Sequence, residues 1–213
     1  MHDGARGRRF AYWIGRFWMW ITGWQVRGTL PESGKFILIA APHTSNWDLP
    51  FMLAAAYVLG VRVSWLGKHT LFRGPMGAIL RRLGGIPVDR RAPQGLVAQI
   101  SALFRREERL VIAISPAGTR GKRESWRSGF YRIALAAQVP IACGYLDYGR
   151  KEAGIGLSFL PTGNVAADMA RIRAFYSGIM GKFPENTATI RLREEEESEA
   201  QQEARTTGKP AEG

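Results

Sequence analysis

The chain has 213 residues, of which 46% are hydrophobic, and it carries 30 Lys and Arg against 18 Asp and Glu. This length and hydrophobic fraction suit one sizeable globular core and exclude general disorder. The net charge of +12 favours a polyanionic partner, which would be nucleic acid, an anionic membrane surface or a phosphorylated substrate. A single cysteine, Cys143, excludes an intrachain disulfide framework, and with only three histidines the chain offers poor material for a metal site. We therefore expect no metal and no cofactor.

The N-terminal segment, residues 1–30, combines a basic cluster with an aromatic stretch. Arg6, Arg8 and Arg9 precede residues 10–24, which contain four tryptophans. Trp prefers the membrane–water interface and Arg pairs with lipid phosphates, so the pattern predicts an amphipathic helix lying on one leaflet. A helix packed on the protein's own core is the alternative, and both can hold on opposite faces. No segment reaches the ~20 apolar residues of a membrane-spanning helix, so we expect peripheral or monotopic attachment.

Apolar runs alternate with amphipathic stretches between residues 31 and 190. Strands are predicted at 35–41, 61–66, 86–88, 109–115, 140–146 and 156–160, and helices at 48–59, 75–83, 93–106, 129–138 and 166–179. This order predicts an α/β layered domain with a largely parallel central sheet flanked by helices, preceded by the interfacial helix. Residues 191–213 contain seven Glu and no aromatic residue, which predicts a disordered acidic tail.

The first group of chemically interesting residues is the segment from Pro42 to Asp48, which leaves a predicted strand and enters a predicted helix. Taking a proton from a hydroxyl needs a base, and histidine suits this role because its unperturbed pKa is about 6.5. A carboxylate on the other ring nitrogen fixes the tautomer and stabilises the imidazolium. Five positions across such a turn would let Asp48 fold back onto His43. The alternative is that Asp48 only stabilises the start of the helix.

Three further motifs follow at the edges of predicted strands. They are GGIPVDRR at 84–91, SPAGTRGK at 115–122 and VPI at 139–141. Together with the preceding His-x4-Asp pattern, this order resembles the glycerolipid acyltransferase family that includes 1-acylglycerol-3-phosphate acyltransferase. The resemblance extends over roughly residues 36–148, and the tryptophan-rich start is also similar to that family.

The resemblance implies an activity. A fatty acyl group would pass from acyl-CoA or acyl-carrier protein to the hydroxyl of a lysophospholipid, most simply 1-acylglycerol-3-phosphate giving phosphatidic acid. His43 would be the general base and Asp48 its orienting partner. We therefore expect an enzyme of phospholipid biosynthesis that works on an anionic membrane surface, at the cytoplasmic face of the cell membrane.

The resemblance also implies an acceptor site. Arg90 matches the family's second motif, where an arginine is thought to bind the acceptor phosphate, and Gly118, Thr119 and Arg120 match the third motif, which is also assigned to the acceptor. Lys68, just past another predicted strand, would help to neutralise phosphate. Arginine offers a rigid fork of donors to phosphate oxygens, and glycine lets a backbone approach closely. As isolated residues, the two arginines would equally fit solvated surface charges.

Ala117 departs from the family pattern, because the third motif normally has glutamate before Gly-Thr-Arg. The alternative hypothesis is therefore a catalytically impaired or non-catalytic lipid-binding relative. Nucleic-acid binding is a third reading of the basic charge. No recognised nucleic-acid motif accompanies that charge, so we expect no nucleic-acid partner.

Two other reactive residues have simpler interpretations. Cys143 lies among apolar residues in a predicted strand, which indicates an inert core thiol. His69 follows a strand and would line the same cleft, but a packing or surface role is the simpler interpretation.

Overall fold

The computed structural model describes residues 5–89, 95–192 and 195. Within them, the strands are β1 (Gln25–Gly28), β2 (Lys35–Ala40), β3 (Val63–Lys68), β4 (Gly85–Val88), β5 (Leu110–Ile114), β6 (Ile141–Asp147) and β7 (Glu152–Phe159). The α-helices are α1 (Ala5–Thr22), α2 (Asp48–Leu59), α3 (Gly74–Arg82), α4 (Gly95–Arg106), α5 (Gly129–Ala137) and α6 (Val165–Tyr176). Short 3-10 turns cover His69–Phe72 and Pro184–Asn186.

The strands form one sheet in the order β1-β7-β6-β2-β5-β3-β4. Neighbouring strands are parallel except β6 and β7, which form an antiparallel hairpin. This arrangement confirms the predicted α/β layered fold with a largely parallel sheet. Because β2 lies between β6 and β5, the loops that follow these three strands meet at one edge of the sheet, where parallel sheets place their functional loops.

Alternate residues of the central strands pack into two apolar layers, one on each face of the sheet. Ile37 and Ile39 of β2 and Ile112 of β5 are buried in a cluster with α4, α5 and α6. Phe36 and Val111 point to the opposite face, in a cluster that includes Leu59 of α2. This alternation follows from the pleat of a strand. Both faces are therefore covered by helices, as parallel sheets require.

Helix α1 uses its two sides differently. Met19, and Trp24 just past the helix end, are buried beside α2. Gly15 allows the close approach, because a Cβ there would lie 2.7 Å from the Ala54 carbonyl oxygen. The other side exposes six large apolar side chains, those of Phe10, Trp13, Ile14, Phe17, Trp20 and Ile21. Packing on the protein core therefore occupies one side of the helix, and membrane contact by the other side stays a prediction.

Spanning a bilayer would need a longer or more apolar helix than any found among the described residues.

The main difference from the sequence prediction lies at the β1 edge. β1 was not predicted, because its four residues QVRG contain one apolar side chain and are mostly exposed. Its parallel pairing with β7 depends on Gly28, which has φ of 91° and where a Cβ would meet the Ile155 carbonyl oxygen. β7 begins at Glu152, ahead of the predicted start at residue 156, because the chain turns sharply after β6.

Part of the predicted tail, residues 191–213, is packed against the body. Leu192 is 1% exposed and forms a bridge with Trp126. The Glu195 carboxylate accepts hydrogen bonds from Arg173 at 2.6 Å and from the Leu192 N–H at 2.7 Å. The packed body therefore reaches at least Glu195, beyond the predicted boundary. Residues 193, 194 and 196–213 lie outside the described residues.

We predict that Leu192→Ala lowers the free energy of unfolding by about 2–5 kcal/mol, because it leaves a cavity in the core. Leu160→Ala, at a side chain that is 56% exposed, is the control and should change stability by no more than about 0.5 kcal/mol. Chemical denaturation followed by circular dichroism measures both. Equal, small effects would mean that the segment around Leu192 is not part of the folded body.

Candidate active site

The loop between β2 and α2 is folded around the Asp48 carboxylate. Asp48 is the first residue of α2 and is fully buried. Its Oδ2 accepts hydrogen bonds from the backbone N–H groups of Thr44 at 2.9 Å and Ser45 at 3.0 Å. The carboxylate therefore satisfies two backbone donors of the loop that precedes its helix and holds that loop in place.

His43 lies on this loop with its Nδ1 2.9 Å from Asp48 Oδ2. The structure therefore brings together the two residues that the sequence pairs. With an ionised carboxylate as its partner, Nδ1 carries the proton and Nε2 is the nitrogen left for another molecule. The His43 side chain is 21% exposed, whereas that of Asp48 is 0% exposed. An accessible imidazole backed by a buried carboxylate is the arrangement of a general base with an orienting partner.

Tyr148 is a member of this site that the sequence reasoning missed. Its hydroxyl donates to Asp48 Oδ1 at 2.9 Å, although the two residues are 100 positions apart. Tyr148 follows β6, which neighbours β2, so the same sheet-edge argument that groups the motifs would have placed it here. Its ring packs against Trp24 and Phe51, with centroids 4.8 and 6.0 Å away.

The surroundings of Asp48 act on its pKa in opposite directions. Burial is the largest effect and raises the pKa. Hydrogen bonds from His43, the Ser45 N–H and Tyr148 lower it, and together they bring the pKa of Asp48 below its usual value. Burial and the nearby Asp48 charge raise the pKa of Tyr148, so its hydroxyl keeps its proton. At neutral pH the site therefore holds a carboxylate and a neutral phenol donor.

A polar cleft opens beside His43. Its lining is His43, Ser115, Gly118, Thr119 and Arg120. The last four residues follow β5, which pairs with β2, and this pairing explains their approach to His43. Gly118 has φ of 66°, a backbone conformation that favours glycine.

Arg127 is a second basic group at this cleft that the sequence reasoning did not single out. Its guanidinium lies over Gly118, so that a Cβ added there would be 3.4 Å from the Arg127 Cζ atom. The backbone N–H of Arg127 donates to the Pro116 carbonyl at 3.0 Å, which closes the β5–α5 connection on itself. Arg120, which lines the cleft, and Arg127, which lies next to its Gly118, are both exposed and offer donors suited to phosphate oxygens.

A narrower pocket also begins at His43. It runs between mostly apolar residues that include Ala117, Trp126, Tyr176 and Ala188. Ala117 thus faces this apolar pocket, and a glutamate at the same position would bring a carboxylate into it.

Among the predicted site residues that the structure describes, Lys68 does not line the polar cleft. Lys68 ends β3, which is separated from β2 by β5, and its side chain is exposed. Arg90 lies outside the described residues. His69, next to Lys68, has its Nδ1 3.7 Å from Asp89 Oδ1 and is not part of the cleft lining either.

Comparison with known proteins agrees with this architecture. A family model described as Acyltransferase matches residues 24–145, which is more than half of the chain. The crystal structure of the 1-acyl-sn-glycerophosphate (LPA) acyltransferase PlsC from Thermotoga maritima is similar, with a TM-score of 0.51 and 19% sequence identity over 83% of this chain and 79% of that chain. At this identity the likeness shows the fold alone. No match was found among curated protein sequences.

The matched region contains both the β2–α2 loop that carries His43 and Asp48 and the loop after β5. The family model and the shared sheet architecture agree with the resemblance seen in the sequence motifs. The chain belongs to the acyltransferase family.

Proposed function

We propose that this protein transfers a fatty acyl group from acyl-CoA or acyl-carrier protein to the hydroxyl of a lysophospholipid, most simply 1-acylglycerol-3-phosphate giving phosphatidic acid. The observation that carries the proposal is the 2.9 Å contact between His43 Nδ1 and a buried Asp48, beside a polar cleft that is also lined by Arg120. The family supplies the reaction type, and the site chemistry suggests the acceptor.

In the proposed reaction, His43 Nε2 takes the proton of the acceptor hydroxyl as its oxygen attacks the thioester carbonyl. The carbon–oxygen bond forms and the carbon–sulfur bond then breaks, and the leaving thiolate takes up the proton held by His43. Asp48 stabilises the imidazolium that exists between these steps. No nucleophile from the protein is needed, because the acceptor supplies the attacking oxygen.

Acceptor binding in this proposal falls to the loop after β5. Arg120 and Arg127 would hold the phosphate, and the backbone at Gly118 would let it approach closely. Arg127 thereby adds a second arginine to the groups implied by the motif. Lys68 and Arg90 stay expectations from sequence, for the structure does not bring Lys68 to the cleft lining.

The lipid substrates imply a membrane surface, and α1 is the natural contact. Its exposed apolar side chains lie behind Arg8 and Arg9, a combination suited to an anionic interface. We propose peripheral or monotopic attachment, with the cytoplasmic face as the expected side.

The alternative function is lipid binding without turnover, and Ala117 is the observation that favours it. A glutamate at this position would precede Gly118 in the chain and would put a carboxylate into the pocket that also contains His43. Without it, Arg120 and Arg127 have one carboxylate fewer to neutralise or orient them.

We predict that His43→Ala lowers kcat about 10²–10⁴-fold while the circular dichroism spectrum stays that of the folded protein, because the variant loses its general base. Thiol release from acyl-CoA in the presence of 1-acylglycerol-3-phosphate measures turnover. His69→Ala is the matched control and should keep full activity. A folded His43→Ala protein with undiminished turnover would overturn the mechanism.

Tyr148→Phe is expected to lower kcat about tenfold, because the carboxylate loses a donor to its charged form. Without that donor the pKa of Asp48 rises toward its usual value, so the acid limb of the kcat/KM–pH profile should move to higher pH.

Tyr131→Phe is the control for this change, since Tyr131 also donates to a buried aspartate, at 2.9 Å from Asp168 Oδ2, away from the site. If the two variants lost the same activity with unshifted pH profiles, Tyr148 would have only a structural role.

Ala117→Glu separates the leading function from its alternative. If the protein is an active enzyme, we expect turnover by the chain that carries Ala117, and we expect the substitution to change the acceptor KM more than kcat. Lipid binding without turnover predicts no product from the unchanged chain and, if chemistry has been lost only here, a large gain in the variant. Ala117→Gln is the matched control, because it fills the same volume without the charge.

A further inference from the structure

Exposed apolar side chains are distributed very unevenly over the two faces of the sheet. Among the described residues, 18 large hydrophobic side chains are exposed. Fourteen lie on α1, α2 or α3 or within three residues of the ends of α2 and α3: Phe10, Trp13, Ile14, Phe17, Trp20, Ile21, Trp47, Leu49, Leu53, Tyr57, Leu71, Met76, Ile79 and Leu83. Of the described parts of α4, α5 and α6, only α5 contributes one, Leu135. A concentration of this kind marks an interaction surface.

One part of this surface lies at the β4 end of the sheet, far from β1 and α1. We call it the α3 patch, formed by Leu71, Met76, Ile79 and Leu83, which are 54, 59, 52 and 66% exposed. Met76, Ile79 and Leu83 follow one another at intervals of three and four, so they share one side of the helix.

Helix α3 has little support from the protein itself. Its only buried residue is Gly77, which packs against the backbone of Phe72. A nine-residue helix is marginal on its own, and helices of this length depend on packing of an apolar face. In α3 that face points away from the protein, so a partner is needed to cover it.

The α3 patch lies on the same face of the sheet as α1 and α2. The connections β2–α2–β3 and β3–α3–β4 both run toward the β4 edge, whereas those through α4 and α5 run the other way. Right-handed crossovers therefore put α2 and α3 on one face and α4 and α5 on the other. Phe72 confirms this placement, because it packs over Gly67 and Gly85, whose neighbours Leu66 and Ile86 point to the α4–α6 side.

The charges around the patch indicate what covers it. Residues 5–24 and 49–84 contain no Asp or Glu, whereas Lys68, Arg73, Arg81 and Arg82 surround the α3 patch and Arg16 lies on α1. A basic rim around apolar side chains matches an anionic lipid bilayer, into which arginine stems snorkel. A second copy of the chain would bring like charges together.

We propose that the α3 patch is a second bilayer contact, so that the protein rests on an anionic membrane through both ends of one sheet face. This inference rests on the membrane association in the proposed function and adds a second contact, so that a whole face of the domain meets the bilayer. The two contacts fix the tilt of the domain on the lipid surface, which a single helix would leave free to roll.

The test places an environment-sensitive nitrobenzoxadiazole dye on single introduced cysteines in the full chain. The positions are Ile79→Cys in the α3 patch, Ile14→Cys on α1, and Leu135→Cys on the opposite face as the matched control. Cys143 does not interfere, because it is 0% exposed and burial raises the pKa of its thiol to about 12. The unsubstituted chain, treated with the dye in the same way, verifies this.

Each labelled protein is mixed with vesicles of phosphatidylcholine and phosphatidylglycerol in equal parts, or of phosphatidylcholine alone. We expect the dyes at positions 14 and 79 to gain roughly twofold or more in emission, with a blue shift, on the anionic vesicles only. The dye at position 135 should not change.

Each other result of the dye experiment would overturn a different part of the proposal. A response at position 14 without one at 79 removes the second contact and leaves the proposed function intact. No response at either position removes membrane association as well. A response at position 135 equal to that at 79 removes the fixed tilt. A shift at position 79 that grows with protein concentration and needs no vesicles assigns the patch to a second copy of the chain.

As a second measurement, the double variant Ile79→Ser with Leu83→Ser should bind the anionic vesicles about tenfold more weakly in sedimentation, because two exposed apolar side chains no longer enter the lipid. Leu135→Ser is its control. Unchanged sedimentation of the double variant would contradict the proposal even if the dye results were favourable.

Discussion

The buried carboxylate of Asp48 is the interaction on which the site depends. Burying a charge is costly unless it is paired and hydrogen-bonded. Here four donors meet it, namely the His43 ring, two backbone N–H groups and the Tyr148 hydroxyl. The same contacts that compensate for burial also fix the loop, the imidazole and the end of β6. The same hydrogen bonds to Asp48 therefore stabilise the site and fix its geometry.

The sheet order explains why residues far apart in sequence converge on that carboxylate. β2 delivers His43, its neighbour β5 delivers Gly118 and Arg120, and its other neighbour β6 delivers Tyr148. Each comes from a loop beyond a strand's carboxyl end, the usual location of function in parallel sheets. The candidate site is therefore built on the central strands β6, β2 and β5, whereas β1, β7 and β4 lie toward the edges of the sheet and contribute none of the described residues to it.

Hydrophobic runs predicted most elements of this fold correctly, because strands buried on both faces and amphipathic helices leave clear patterns. β1 leaves none, as an exposed edge strand is held by backbone pairing and a glycine rather than by side-chain burial. Likewise, the His43–Asp48 pair is local and could be predicted from spacing. Arg127 could not, since it belongs to no motif and its position comes from a tertiary neighbour. Tyr148 belongs to no motif either, and only the sheet-edge argument points to it. Leu192 and Glu195 were assigned to a tail because the acidic sequence around them hides one buried apolar side chain and one buried carboxylate that pairs with Arg173.

The aromatic cluster around Tyr148 has a consequence for the role of α1. Trp24, at the end of that helix, stacks on Phe51 at 4.3 Å and meets the Tyr148 ring edge-on, and Tyr148 in turn holds Asp48. Helix α1 is therefore not a separate attachment segment, because the residue at its end packs against the side chains that support Asp48. Removing α1 together with Trp24 would loosen the packing behind the Asp48 carboxylate, so we expect a chain shortened in this way to lose the geometry of the candidate site as well as the proposed lipid contact.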